Sequence, residues 1–382
     1  VLDTVTIADP AQLEPLYEEW DDLAVRCALP LMAPALVLAW WRHLAPADAQ
    51  ARAVAVREQG RLVGLAPFYV VPGPGRRLDF RLPGIELGTR LAPLAAPNRE
   101  WEVAGAIAGA LADCVPRPDL LALESVPPSS PWLTALREQW PGRMRPLHCL
   151  YHLHGSPTIA LEGSFEDWLA ARSASFRKNR RRRGRMLAEA HGAMRLGTPE
   201  TLKRDVETLL RLHADRWRAR GGSSLVAQGE RLRAMLLDAG ARLAPSGRLR
   251  IWVLEIDGAP AWANLFLSAG GELLAVNSGW DERWRRLSPP SLGMLRAIED
   301  AFERGERRLD LGVGDDPYKL EFADGNDPVG WGILVPPGWR MPLTALRVAP
   351  MLLASALRGR VKRTLTETQL ERLRALRRRL RR

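Results

Sequence analysis

The chain has 382 residues, of which 46% are apolar and 26% charged, with a formal net charge of +11. That length fits about two domains, each able to bury a core; the composition excludes a disordered chain, and no run of about 18 uncharged apolar residues is present to cross a bilayer. The charge is concentrated, because residues 172–188 carry eight basic and no acidic side chains, residues 355–382 carry eleven basic and two acidic ones, and the remainder is acidic, which excludes a uniformly basic nucleic-acid binder. Cys27, Cys114 and Cys149 are few and scattered, as expected in a reducing cytoplasm. The opening twenty residues lack a basic segment followed by an apolar one, so no signal peptide is expected.

In chain order, Leu13, Leu16, Tyr17, Trp20 and Leu23 recur at helical spacing, and a second helix is predicted over "MAPALVLAWWRHLAP". "ARAVAVREQGRLVGLAPFYVVPG" reads as two strands turning at Gln59-Gly60, and "LLALESVP" as a strand with a helix on either side. This alternation predicts an α/β domain over residues 1–150. The junction "HCLYHLHGSPTIAL" follows. A helix opens near Ser164, with Ser at the N-cap and Asp167 three residues on, and the basic run continues it. "TLKRDVETLLRLHADRWRARG" is a further helix ending at a glycine pair, and "GERLRAMLLDAG" lies in the next.

The period then changes to two. Residues 248–280 predict three strands with turns at Asp257-Gly258 and Gly270-Gly271. A loop, a helix from about Ser291, a strand ending "RRLDLGVG", a short helix around "DDPYKLEF" and a last strand "GWGILVP" complete a second domain over residues 151–335. Residues 336–382 form a proline-containing linker and a basic amphipathic helix. A helix N-terminus offers unpaired N–H groups and partial positive charge, and Arg283, Arg285 and Arg286 precede the helix at Ser291, so this loop is a candidate diphosphate site.

Ser288-Pro289 before the long helix, Gly305 at its end, Asp310-Leu311-Gly312 on the next strand and then Tyr318-Lys319 resemble the core of the GNAT superfamily. The basic helix, "EEWDDLA" and "GRLVGLAPFY" extend the resemblance over about residues 10–335. Within that superfamily the pattern is similar to the bacterial cellulose-biosynthesis acetyltransferase group, which is related to the Fem peptidoglycan aminoacyl-transferases. The resemblance implies two GNAT-like domains, each a mixed, mostly antiparallel sheet flanked by helices in the α/β (α+β) class. It implies acyl transfer, usually from acetyl-CoA or another acyl-CoA, to an amine or hydroxyl of a sugar, envelope or exopolysaccharide precursor. The loop departs from the superfamily pattern, carrying prolines where repeated glycines are usual.

The resemblance places Tyr318 as acid or positioning group and Lys319 as electrostatic stabiliser, with Asp310, Asp315 and Asp316 as candidate bases. It places cofactor binding at Arg285, Arg286, Ser291, Leu292 and Gly293. Asn264 and Asn277 lie on strands able to line the acceptor site, and Arg177, Arg181 and Trp217 are further candidates for substrate contact. Each keeps a plainer alternative: turn or N-cap residues for the aspartates and Ser291, core or rim packing for the tryptophans.

The run "SFRKNRRRRGRML" stays open among a solvated face, an anionic small-molecule site and a nucleic-acid grip. A Fem-like use of aminoacyl-tRNA would recruit both basic segments. An inactive membrane-surface binding protein is the remaining alternative, with the last helix and its Leu365, Leu370, Leu373, Leu376 and Leu380 lying on anionic lipid at the inner face of the membrane. His148, Cys149, His152 and His154 crowd one segment, but no second cluster completes a tetrahedral site, so no metal is expected.

Overall fold

The computed structural model describes residues 1–218, 224–314 and 316–364. The first half holds β1 (Leu2–Ile7), α1 (Tyr17–Arg26), α2 (Pro34–His43), β2 (Gln50–Glu58), β3 (Arg61–Gly73), β4 (Arg77–Arg81) and β5 (Leu94–Ala95), then α3 (Glu100–Asp113), β6 (Leu120–Val126), α4 (Trp132–Glu138) and β7 (Leu147–His154). The second holds β8 (Pro157–Ala160), α5 (Phe165–Ala170), α6 (Ala174–Glu189), β9 (Gly192–Leu196), α7 (Leu202–Arg218), α8 (Ser224–Leu243), β10 (Leu249–Ile256), β11 (Ala259–Ala269) and β12 (Glu272–Trp280). It continues with α9 (Pro289–Glu303), β13 (Arg308–Asp310), α10 (Pro317–Phe322), β14 (Gly325–Asn326), β15 (Val329–Val335) and α11 (Met341–Thr364).

Among the described residues these strands make two mixed, mostly antiparallel sheets flanked by helices. The first runs β1-β2-β3-β4-β6-β15-β7, with β5 on β3, and the second runs β14-β8-β13-β12-β11-β10-β9. Among the described residues only β4–β6 and β12–β13 are parallel pairs. β15 lies late in the chain yet pairs with β6 and β7 in the first sheet, so the two halves are interleaved.

The hairpins form where the sequence places them. Gln59-Gly60, Asp257-Gly258 and Gly270-Gly271 all have positive φ, the backbone a two-residue hairpin turn requires. They close the registers Glu58↔Arg61, Ile256↔Ala259 and Ala269↔Glu272. Alternation along β10 then serves two cores. Ile251 and Val253 join the large core shared with the first half, α7 and α8, whereas Trp252, Leu254 and Ile256 join a second core under α5, α6, α9 and α10.

The Ser164 cap is present and accepts the Asp167 N–H at 3.1 Å. The basic run does not continue that helix. Ser173 caps a new one, α6, by accepting the Phe176 N–H at 3.1 Å, because a serine in extended backbone ends one helix and starts another. α11 starts at Met341, inside the segment expected as linker, and tolerates Pro350. The glycine pair after α7 and the leucines from 365 onward lie outside the described residues.

Candidate active site

β12 and β13 pair through only three residues each, Glu272–Leu274 against Arg308–Asp310. Beyond that point β12 continues to Trp280 without β13, paired with β11 alone. The register of β12 against β11 also slips there: Leu265 faces Asn277 while Phe266 faces Ala275, so Val276 is an extra, unpaired residue. A bulge of this kind re-aims neighbouring side chains and interrupts the ladder. A cavity of about 350 Å³ opens at this place. Asn264 and Asn277 line it from β11 and β12, and Leu311, Gly312, Tyr318 and Lys319 from the β13–α10 turn. The opposite wall comes from the first half and from β15, through Glu86, Thr89, Ser125, His154 and Trp331.

The Asp310-Leu311-Gly312 and Tyr318-Lys319 motifs form one folded unit. Gly312 has φ 75°, a conformation side chains rarely adopt, and a Cβ there would meet the Ala275 carbonyl oxygen at 3.1 Å. Its N–H donates to Asp310 Oδ1 at 2.8 Å, and its carbonyl accepts from Lys319 Nζ at 3.1 Å. Lys319 Nζ also donates to the Val313 carbonyl at 3.0 Å. Burial holds the Lys319 ammonium below the ordinary lysine range, against the opposing charges of Asp316 and Asp310. Burial, helped by Asp316, pushes the Tyr318 hydroxyl up to about 12, so it keeps its proton at neutral pH and can donate it. Asp310 is 0% exposed and also accepts from Ser156 Oγ and Arg90 Nε, both at 2.6 Å. Its carboxylate is thus committed to holding the chain rather than presented to the cleft. Asp316 is exposed at the start of α10, and Asp315 lies outside the described residues.

The start of α9 is built differently from an anion cradle. Pro289 and Pro290 occupy its first two positions and have no N–H. The Ser291 and Leu292 N–H groups both donate to the Ser288 carbonyl, at 2.9 and 3.3 Å. The first four positions therefore present no free amide to a diphosphate. Ser291 is buried, with its Oγ 2.9 Å from Ser288 Oγ. A Cβ on Gly293 would lie 2.2 Å from the Trp262 ring, so Gly293 serves close helix–sheet packing. Arg285 and Arg286 are exposed just ahead. Away from the cleft, Arg177 donates to the Ala170 and Arg172 carbonyls and caps α5. Arg181 is exposed on α6. Trp217 sits near the end of α7, its ring 6.0 Å from that of His213.

The first-half wall carries no motif and no resemblance that marks it. Glu86 is the one carboxylate among the described residues lining the cleft; its Oε2 accepts from Trp40 Nε1 at 3.2 Å. Glu86 and His154 are able to accept a proton there. His154 lies on β7 with its ring 5.5 Å from that of Trp331. A larger cavity of about 660 Å³ lies between α7 and α8, lined by Glu207, His213, Glu230 and Arg233; it holds none of the expected site residues except that it borders the end of α7. Among the described residues, no three His, Cys, Asp or Glu side chains gather as a metal-binding group.

Residues 174–320 match the family model described as an acetyltransferase (GNAT) domain. The chain is a GNAT-fold acyltransferase. No curated protein matches it in sequence. The FemX crystal structure superposes with a TM-score of 0.62 at 11% identity, covering 90% of this chain and 99% of that one. The C-terminal domain (DUF2156) of a putative lysylphosphatidylglycerol synthetase from Agrobacterium fabrum gives 0.53 at 13% identity, over 90% and 98%. L-PGS from Bacillus licheniformis gives 0.52 at 13% identity, over 89% and 96%. At such identities these likenesses speak for the fold, and they extend it over both halves of this GNAT-fold acyltransferase.

Proposed function

We propose that acyl transfer takes place in the cleft between the two halves, onto an amine or hydroxyl of a sugar, envelope or exopolysaccharide precursor. The observation that carries this reading is the parting of β12 from β13 beside the Val276 bulge, where Tyr318, Lys319, Asn264 and Asn277 converge. Tyr318 is the proton donor to the leaving group. Lys319 shapes the turn and adds positive potential through its hydrogen-bonded ammonium. Glu86 receives the proton of the acceptor. The backbone N–H of Val276, the extra residue of the bulge, is the candidate to polarise the acyl carbonyl.

Acyl-CoA is the donor that the matched domain supports. The α9 amides do not fit its diphosphate, which leaves the exposed Arg285 and Arg286 as the positive groups at that end. A second reading, a Fem-like aminoacyl-tRNA donor, is favoured by α6. There Lys178, Arg181, Arg182 and Arg185 are exposed and, among the described residues, have no carboxylate within 4 Å. Calorimetric titration separates the two. Saturable acetyl-CoA binding, weakened by Arg285→Ala with Arg286→Ala, supports the first. No binding up to about millimolar, where the free energy is only about −4 kcal/mol, removes it. Salt-sensitive tRNA binding lost on substituting the α6 arginines supports the second.

We also infer peripheral attachment to an anionic bilayer. No helix among the described residues is long and apolar enough to cross a membrane. However, Trp339 is 88% exposed, and Leu343, Leu346 and Leu353 of α11 are exposed beside it. The sequence continues with Arg358, Arg360, Lys362 and Arg363. Exposed apolar groups next to basic ones suit a lipid surface. Co-sedimentation with anionic vesicles, reduced in Trp339→Ala and absent with neutral vesicles, is the expected result.

A further inference from the structure

Two polar atoms in the cleft are buried without a partner. Thr89 is 5% exposed and Asn277 7% exposed, and neither Thr89 Oγ1 nor Asn277 Nδ2 has a hydrogen-bond partner among the described residues. They come from different halves, Thr89 from the segment after β4 and Asn277 from β12, and line the same cavity. Leaving such atoms unsatisfied destabilises the fold, a cost that a bound ligand with matching groups removes.

The charges around them narrow the ligand. Glu86 supplies a carboxylate. No arginine is among the described lining residues, and the Lys319 ammonium is directed at the Gly312 and Val313 carbonyls. Glu86 attracts an amine and repels a phosphate or carboxylate at its own wall of the cleft, across from the side where Lys319 and the charge of Arg216 act. The Trp331 and Tyr318 rings add apolar faces on which a pyranose can rest.

We propose that Thr89 and Asn277 are the residues that select the acceptor, and that the part of it entering the cleft is an amine-bearing, hydroxyl-rich group without phosphate or carboxylate, an amino sugar being the simplest case. This rests on the acyl-transfer reading for the identity of the ligand as an acceptor. Thr89 Oγ1 accepts from or donates to one of its hydroxyls, Asn277 Nδ2 donates to another, and Glu86 faces its amine.

The test uses the full chain, with glucosamine and glucosamine 6-phosphate as probes, and the variants Thr89→Val and Asn277→Leu. Binding is followed by titration calorimetry, folding by thermal melting, and acetyl transfer in parallel. Glucosamine is expected to bind at least about tenfold more tightly than its 6-phosphate. Thr89→Val keeps the shape and removes an unsatisfied group, so Tm rises by about 2 °C while glucosamine affinity falls about tenfold. Asn277→Leu provides the same comparison from the other wall. Equal affinity for the two sugars, unchanged glucosamine affinity in folded variants, or no binding of either sugar overturns the proposal. Acetyl transfer that proceeds in the wild type and is insensitive to both substitutions overturns the selector assignment alone. Selective glucosamine binding without any acyl transfer retains the ligand site and contradicts the proposed reaction.

Discussion

Asp310 accepts hydrogen bonds from Ser156, Arg90 and Gly312, three separate parts of the chain, and is sealed from solvent. Removing one partner of such a buried charged cluster costs about 3–5 kcal/mol. Asp310→Asn is therefore expected to lower the unfolding free energy in urea by about that amount. A catalytic base would instead show normal stability with a depressed kcat. Glu86→Gln has the opposite signature, with stability near wild type and kcat falling about 10²-fold or more. Kinetics and denaturation on both variants distinguish the two carboxylates. Tyr318, Lys319, Asn264 and Asn277 are legible in the sequence because they lie close in the chain to recognisable strands and motifs. Glu86, Thr89 and His154 are not, because they reach the cleft only through the packing of the other half. Nothing local in "GIELGTR" or "YHLHG" marks that contact.

At the scale of elements, hairpins and long amphipathic helices follow from short-range chemistry, and the turns at Gln59-Gly60, Asp257-Gly258 and Gly270-Gly271 form with positive φ. β1, β4 and β9 escape the pattern. β1 and β9 are sheet edges with mostly exposed or half-exposed side chains, so they lack the apolar alternation that marks a strand. β15 is recognisable as a strand, but its place between β6 and β7 is not, since pairing across such a sequence distance leaves no local trace. The α9 terminus shows the same division. Its prolines are visible in the sequence, whereas the turn of the Ser291 N–H onto Ser288 is visible only in three dimensions. The seat of α9 on β11 depends on Gly293 against the Trp262 ring. Gly293→Ala is expected to cost about 1–3 kcal/mol through overpacking, read as a lower midpoint in chemical denaturation.

Across the whole molecule, the two halves are joined by β15 and by a charged cluster beneath the cleft. Arg308 Nη1 contacts both Glu272 oxygens at 2.8 and 2.9 Å, and Arg90 reaches from the first half to Asp310. Burial pushes the Glu272 carboxyl from 4.5 up to about 7, in spite of Arg308 and Arg90. Between those values the folded protein holds a proton that the unfolded chain has lost. The stabilisation is full below about 4.5 and is lost as pH rises through about 7, by up to about 3 kcal/mol. Urea denaturation across that range is expected to show the decline in the wild type and a flatter profile in Glu272→Gln. The proposed site requires chemistry where the two halves meet beside Tyr318. Its most direct test is the steady-state rate of acyl transfer from acetyl-CoA to an amine acceptor by the wild type and by Tyr318→Phe. Wild-type turnover is expected, with the variant keeping its Tm and losing about 10²-fold or more in kcat. Equal turnover by the two proteins would contradict it.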